Sequence, residues 1–582
     1  MIKVENLSFS FPNKDLYENV SFSIENGECC AFIGSSGCGK STLADMIMDN
    51  EKYMYDGKIE IEEDCNIGYV SQFYDVDEHL SVFDYIAKDF ISLQKDIDDI
   101  CTAMETATDY EKLMEEYQVA LDKFDAVDGI NYENNINKKL ALADLLKYKD
   151  LSVLKISGGQ FKLVQVIKQM LTRPHFIIMD EPDAFLDFEN LNSLKNLINT
   201  HKGTMFVITH NRYLLNHCFN KIVHLEGKQI KEFSGNFIGY NFELLDGKIE
   251  TKELAFADKV EIERNEVLID RLRETATFVD SSAHGRALKA RVKVQERLVE
   301  RQIKDPFINI KVPNINLVAR DVLEDETVVK VEDFSVTFKE NLLNNVNFDI
   351  KSTDKVAIIG ENGTGKTTLL KAIVDNNSPH ITISDDVKIS YLSQVQQEAF
   401  GSSDTIYDAF FDVGFKSYSD IEEYLEGFDF PKDKLDKPIS ILSGGEKNIL
   451  SLAKTSFEKS SLLILDEPTS HLDIYAQIAL ENSLKEYNGG IIMVSHDFYT
   501  ISNVVDYLLV IRDKTVSKMT LRKFRKNIYA RHFDKNYLEL EQNKKIIESK
   551  IEQALSRDNF DLAKELLENL REIIVEMDKI GV

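Results

Sequence analysis

No stretch of the chain reaches the roughly 18 consecutive apolar positions that a membrane-crossing helix needs. The opening Met1-Ile2-Lys3-Val4-Glu5 has no basic segment leading into an apolar one, so no secretory leader is expected. Cysteine is scarce. The six present (Cys29, Cys30, Cys38, Cys65, Cys101, Cys218) all fall in the first half and none forms a C-x-x-C pair, which suits neither a disulfide framework nor a zinc or iron–sulfur site. Positive charge is short too: 69 Lys and Arg face 99 Asp and Glu, a net charge of −30. Such a field repels phosphate backbones at long range, so any nucleic-acid contact needs a locally basic surface. These absences point to a reduced, cytoplasmic protein. What is present, 43% hydrophobic and 29% charged residues over 582 positions, provides ample core for about three or four folding units.

The chain repeats itself. Gly34-Ser35-Ser36-Gly37-Cys38-Gly39-Lys40-Ser41-Thr42 and Gly360-Glu361-Asn362-Gly363-Thr364-Gly365-Lys366-Thr367-Thr368 both fit G-x-x-x-x-G-K-[ST]. Each follows a short apolar run and leads into an apolar-periodic segment, the strand–loop–helix setting in which peptide N–H groups and a helix N-terminus cradle polyphosphate. Lys40 and Lys366 would reach the β/γ-phosphates, and Ser41 and Thr367 would hold Mg²⁺. Downstream, Ser157-Gly158-Gly159-Gln160 pairs with Ser443-Gly444-Gly445-Glu446, Asp180-Glu181-Pro182 with Asp466-Glu467-Pro468, and His210 with His496. Ser157, Glu181 and His210 each recur 286 residues later, whereas Gln72 recurs 322 residues later as Gln394. The first copy therefore holds 36 additional residues, in an acidic, helix-favouring stretch near Lys88 to Lys149.

Asp180 and Asp466 end four-residue apolar runs that read as buried strands, which brings both carboxylates to the sheet's C-terminal edge near Mg²⁺. Glu181 and Glu467 follow, suited to polarise an attacking water. His210 and His496, at the ends of further apolar strands, fit sensors of a γ-phosphate; one such histidine alone would be structural.

In this order the residues resemble ATP-binding cassettes, over about 430 of the 582 positions. The resemblance implies an α/β fold of two P-loop NTPase domains, Mg²⁺ contacts through Gln72 and Gln394, and D-loops ending at Asp187 and Asp473. It also implies head-to-tail pairing within one chain, so that Lys40 shares a site with Ser443-Gly444-Gly445-Glu446, and Lys366 with Ser157-Gly158-Gly159-Gln160. A monomer then suffices. Phe11 and Phe338 lie where the family stacks an aromatic on adenine, though core packing explains either phenylalanine as well.

The rest of the chain is helical in pattern. Leu254, Val260, Leu268 and Leu272, then Leu288, Val292, Leu298 and Ile303, recur at helical spacing on either side of Phe278 to Gly285, a two-helix linker with a tip. Its return arm carries Arg286, Lys289, Arg291, Lys293, Arg297, Arg301 and Lys304 against Glu296 and Glu300. Such a row is either a solvated helix face or a surface for the phosphates of structured RNA. A second basic run, from Lys514 to Lys535, precedes two amphipathic helices that break near Ser556 to Asn559. This hairpin reads equally as a brace docked on its own cassette and as an RNA- or protein-binding tail. The resulting layout is cassette 1 over 1–243 with its insertion at about 88–149, linker over 244–326, cassette 2 over 327–518, and a basic segment with helical hairpin over 519–582.

Tandem cassettes, a helical linker of about 80 residues and the stretch Asp466-Glu467-Pro468-Thr469-Ser470-His471-Leu472-Asp473 resemble the ABC-F proteins. The resemblance implies an ATPase that binds the ribosome at the tRNA exit site with its linker tip toward the peptidyl-transferase centre, closing on ATP and leaving on hydrolysis. Members act as translation factors or protect ribosomes from antibiotics. The first cassette departs from the pattern: Asp180-Glu181-Pro182-Asp183-Ala184-Phe185-Leu186-Asp187 lacks Thr-Asn-His. Rival readings are the tandem ATPase subunit of a sugar-type importer, for which a shorter connector is expected, and a DNA-repair ATPase, disfavoured by the lack of cysteine-based zinc modules.

Overall fold

The computed structural model describes the chain except residues 1, 13, 63–64, 72–78, 106–109, 185, 279–288, 295–306, 308–309, 311, 321–325, 338–340, 394–399, 401–404, 431, 533–534 and 581–582. It forms two compact units: residues 1–234 with 311–527, and residues 235–310 with 528–582.

The first unit holds both cassettes. In each, a six-stranded sheet forms the core, with five strands parallel and an antiparallel strand at one edge. The first sheet runs β5 (Ile67–Val70), β6 (Phe176–Asp180), β7 (Thr204–Ile208), β3 (Cys29–Gly34), β8 (Lys221–Glu226), β9 (Gln229–Ser234). The second repeats the order as β14 (Ile389–Leu392), β15 (Leu462–Asp466), β16 (Gly490–Val494), β12 (Lys355–Ile359), β17 (Tyr507–Arg512), β18 (Thr515–Thr520). The central strands are buried along their whole length, as expected where helices cover both faces of a parallel sheet. Register then aligns their ends. Phe32 pairs with Ile208 and Asp180 with Ile208 in the first sheet, as Ile358 and Asp466 both pair with Val494 in the second. The glycine loops, Asp-Glu pairs and histidines thus leave one sheet edge together. An antiparallel three-stranded sheet completes each cassette, β2 (Lys14–Ile24), β1 (Ile2–Phe11), β4 (Asp56–Ile61) in the first and β11 (Asn341–Lys351), β10 (Thr327–Thr337), β13 (Ile381–Ile383) in the second.

The additional residues of the first cassette lengthen its helical part. Helices Val82–Met104 and Tyr110–Ala126 stand where the second cassette has the short Ile406–Val413 and Tyr418–Glu426.

In the second unit, helix Phe237–Phe278 begins ahead of the boundary expected at residue 244. Asn236 sets that start, its side chain accepting from Gly239 N at 2.8 Å. Residues 289–294 form the described part of the return arm, where Arg291 donates to Asn265 Oδ1 at 3.0 Å. The linker also ends sooner than 326. Ile315 and Leu317 are buried in the first unit, and Leu317 N donates to Ser483 Oγ at 2.9 Å. The closing hairpin, Lys535–Ser556 and Phe560–Ile580, turns at Asp558, with Asn559 accepting from Leu562 N at 3.3 Å. It shares a core with the start of the linker helix: Ile238 and Ile249 pack with Ile551, Leu555, Leu567 and Leu570. Lys564–Glu253 at 2.7 Å and Lys248–Glu552 at 2.6 Å flank that core. Its base is therefore the linker helix.

Candidate nucleotide sites

Each glycine loop is shaped by backbone that side chains resist. Gly37 and Gly39 have φ of +73° and +110°, Gly363 and Gly365 +81° and +95°. The loops then enter helices Lys40–Met48 and Lys366–Asp375. Lys40 Nζ donates to the carbonyls of Gly34 and Ser35 and Lys366 Nζ to those of Gly360 and Glu361, all at 2.9 Å. Tyr17 OH braces the first loop at Gly39 O (2.6 Å), and Lys14 Nζ at Gly37 O (2.8 Å). Phe11 pairs with Lys14 at the β1–β2 turn and is 43% exposed, with its edge against Phe9, so it is not core. Phe338, Gln72 and Gln394 lie outside the described residues.

The signature segments are helix starts. Ser157 Oγ accepts from Gln160 N while Gln160 Oε1 accepts from Ser157 N, and Ser443 with Glu446 repeats this capping box. Both meet the opposite cassette. Ser36 N donates to Asp473 Oδ2 at 2.9 Å, and a Cβ on Gly445 would stand 3.2 Å from Ser36 Cβ. On the other side, one cavity of about 670 Å³ is lined by Ser157, Gly158 and Gly159 together with Lys366, Thr367, Asp466, Glu467 and His496. The D-loop aspartates also cap helices: Asp187 accepts from Asn190 N at 3.0 Å, and Asp473 from Ala476 N at 2.9 Å.

Glu181 and Glu467 occupy left-handed backbone, φ +45° and +50°, a strained state for glutamate of the kind found at functional sites. Hydrogen bonds from Glu181 N to Ile208 O (2.9 Å) and from Glu467 N to Val494 O (2.8 Å) pin them there. Their surroundings differ. Burial pushes the Glu467 carboxyl up to about 8, helped by Asp466 alongside. His496 of the same cassette faces it, with Nε2 3.6 Å from Oε1. Burial raises Glu181 as well, but His471, His210 and Lys40 outweigh it and hold the carboxyl below its ordinary range. The His471 contact comes from the second cassette, Nδ1 to Oε2 at 3.7 Å. Burial, with Lys40 or Lys366 nearby, pushes His210 down to about 4 and His496 to about 3, so both imidazoles are neutral at pH 7.

Asp180 ends β6 with one carboxylate oxygen buried and unpartnered, while Ser41 hydrogen-bonds the carboxylate. A hydroxyl and a carboxylate converging in this way match the oxygen donors of a hard divalent cation.

Motif reading overlooked an ion network beside the histidines. Arg212 pairs with Asp497 at 2.8 Å and with Glu481, all three largely buried and joining the two cassettes. Its signal was the arginine two residues after His210 and the aspartate one residue after His496. Among the RNA-contact candidates, Lys289, Arg291 and Lys293 are exposed, whereas Arg286, Arg297 and Arg301 lie outside the described residues.

Comparison with known proteins agrees with this architecture. The family model described as ABC transporter matches residues 17–184 and 343–470. ABC transporter F family member 2 of Arabidopsis thaliana is 30% identical, over 88% of this chain and 76% of that protein. ATP-binding protein Uup of Haemophilus influenzae is 29% identical, over 86% of this chain and 77% of that protein. A solved archaeal ribosome recycling factor, aABCE1 in complex with the stalk protein aP1, shares the fold at TM-score 0.53 and 16% identity, covering 90% of this chain and 92% of its own. Among the described residues no helix is long and apolar enough to cross a membrane. With two cassettes matched and likeness to an F-family member over 88% of its length, the chain belongs to the ABC-F family of tandem ATP-binding cassette ATPases.

Proposed function

We infer that ATP clamps the two cassettes together and that the clamped form binds the ribosome near its exit site, through the linker, as a translation factor or a ribosome-protecting factor. Lys40 and Lys366 hold the β- and γ-phosphates, Ser443 to Glu446 and Ser157 to Gln160 close over them, and His210 and His496 sense the γ-phosphate. Glu181 and Glu467 orient the water for hydrolysis, which releases the factor. Ser41, Asp180, Thr367 and Asp466, with Gln72 and Gln394, would hold Mg²⁺, which when bound neutralises charge on the phosphates.

The observation that carries the ribosomal reading is the linker: a 42-residue helix, Phe237–Phe278, and a return arm presenting exposed Lys289 and Lys293 in a chain of net charge −30. Cations at helical spacing suit RNA phosphates. The solved neighbour described as a ribosome recycling factor is a parallel for tandem cassettes at work on ribosomes.

The test is sedimentation of the Glu181→Gln/Glu467→Gln protein with ATP. The reading expects it in the ribosomal pellet, with salt-dependent loss when Lys289 and Lys293 are reversed to glutamate. Recovery with membrane vesicles and absence from ribosomes would instead favour an importer subunit.

A further inference from the structure

The two hydrolytic glutamates are held by different means. Glu467 faces His496 of its own cassette, whereas Glu181 faces His471 of the other. His471 and Phe185 stand at matching places, 286 residues apart. A phenylalanine has no polar atom with which to hold a carboxylate.

His471 is itself fixed by the signature helix. Its backbone has φ +61°, a left-handed conformation uncommon for histidine and retained where the surroundings impose it. Asn448 of helix Gly444–Glu458 grips the loop that carries it, Nδ2 donating to Ser470 O at 2.7 Å and Pro468 O at 3.1 Å. The ring packs so close over the signature that a Cβ on Gly444 would stand 3.1 Å from His471 Cγ. A rigid path therefore runs from the Ser443 turn, which faces the first glycine loop, through Asn448 and His471 to Glu181. The first cassette is wired otherwise: Lys162 replaces Asn448 and donates to Ser71 O, and Asp183 replaces Thr469 and accepts from Thr209 Oγ1 at 2.7 Å.

We propose that His471 is a positioning residue that holds Glu181 in trans at the Lys40–Ser443 site. At 3.7 Å from Oε2 the imidazole Nδ1 stands close enough to restrict the direction in which the carboxylate points. The proposal rests on Glu181 as the water-orienting group.

The experiment is a double-mutant cycle in the full chain with imidazole rescue. Glycine adopts φ +61° without strain, so His471→Gly preserves the backbone and removes only the ring. The expected result is a fall in kcat of about 10- to 100-fold with KM for ATP little changed, as for loss of orientation. Added imidazole restores turnover, and Glu181→Gln/His471→Gly is no slower than Glu181→Gln and gains nothing from imidazole. Wild-type turnover by His471→Gly overturns the proposal, and so does a loss that imidazole leaves unrepaired, since the ring would then serve only packing. Wild-type turnover by Glu181→Gln is a separate result and removes the water-orienting role itself.

Discussion

Ser36 N–H, in the first glycine loop, donates to Asp473 Oδ2 of the second cassette at 2.9 Å. The other oxygen of that carboxylate caps helix Ile474–Glu486 at Ala476 N, also 2.9 Å. One side chain thus fixes a helix start and ties it to the opposite phosphate loop.

Asp473→Ala should therefore lose about 1 kcal/mol of cap stability and, in addition, the tie between cassettes. Nucleotide trapping in the Glu181→Gln/Glu467→Gln background is expected to fall by about tenfold, roughly 1.4 kcal/mol. Trapping at the parental level would show that the tie contributes nothing to closure.

Arg212 supplies the cation of a buried cluster with Asp497 and Glu481. Arg212→Ala leaves two buried carboxylates with neutral donors, the Thr500 hydroxyl, the Asn503 amide and the Tyr499 backbone N–H. The expected loss is about 3–5 kcal/mol, read by calorimetry as a lower Tm. A triple replacement by apolar residues of similar volume should recover most of it, because the desolvation penalty goes with the charges.

The pH response of the nucleotide-free protein follows from Glu467. Its carboxyl, raised from 4.5 to about 8 by burial and Asp466, keeps its proton in the folded chain where the unfolded chain has lost it. The folded state binds the additional proton, so this group's contribution to stability is present below the lower value and falls as pH rises through the higher one. Glu467→Gln should flatten the decline in Tm between about pH 4.5 and pH 8; parallel curves for parent and variant would contradict the assignment.

Leu567 and Leu570 are buried in the core shared by the closing hairpin and the linker helix. Each alanine substitution should cost about 2–5 kcal/mol and expose helix Phe237–Phe278 to protease, with cleavage mapped by mass spectrometry. Leu562, which is 42% exposed, should tolerate the same change.

Much of the nucleotide machinery was legible because its chemistry demands particular residue types at turns. Gly37, Gly39, Lys40, Asp180 and Glu181 cannot be exchanged freely, and their second copies confirmed the frame by spacing. His471 and Arg212 were not, since their partners lie in the other cassette and their matching positions hold Phe185 and Phe498, which erases any repeat signal. The closing hairpin showed an apolar face in sequence, but amphipathic spacing says that a face is covered and not by what. The linker start turned on one capping residue, Asn236, whose place a pattern of leucines and valines does not mark.

Ile238 and Ile249 are covered by Ile551, Leu555 and Leu567, side chains that leave the synthesising machinery about 300 residues later. At about 5–20 residues per second that is roughly 15–60 s of translation. For all that interval the arm's root is a nascent helix with a bare greasy flank, so the second unit can be assembled only once the closing hairpin has been made. A stalled or prematurely terminated copy would own both engines and lack a finished lever, and its unclothed flank would mark it for chaperones and proteases.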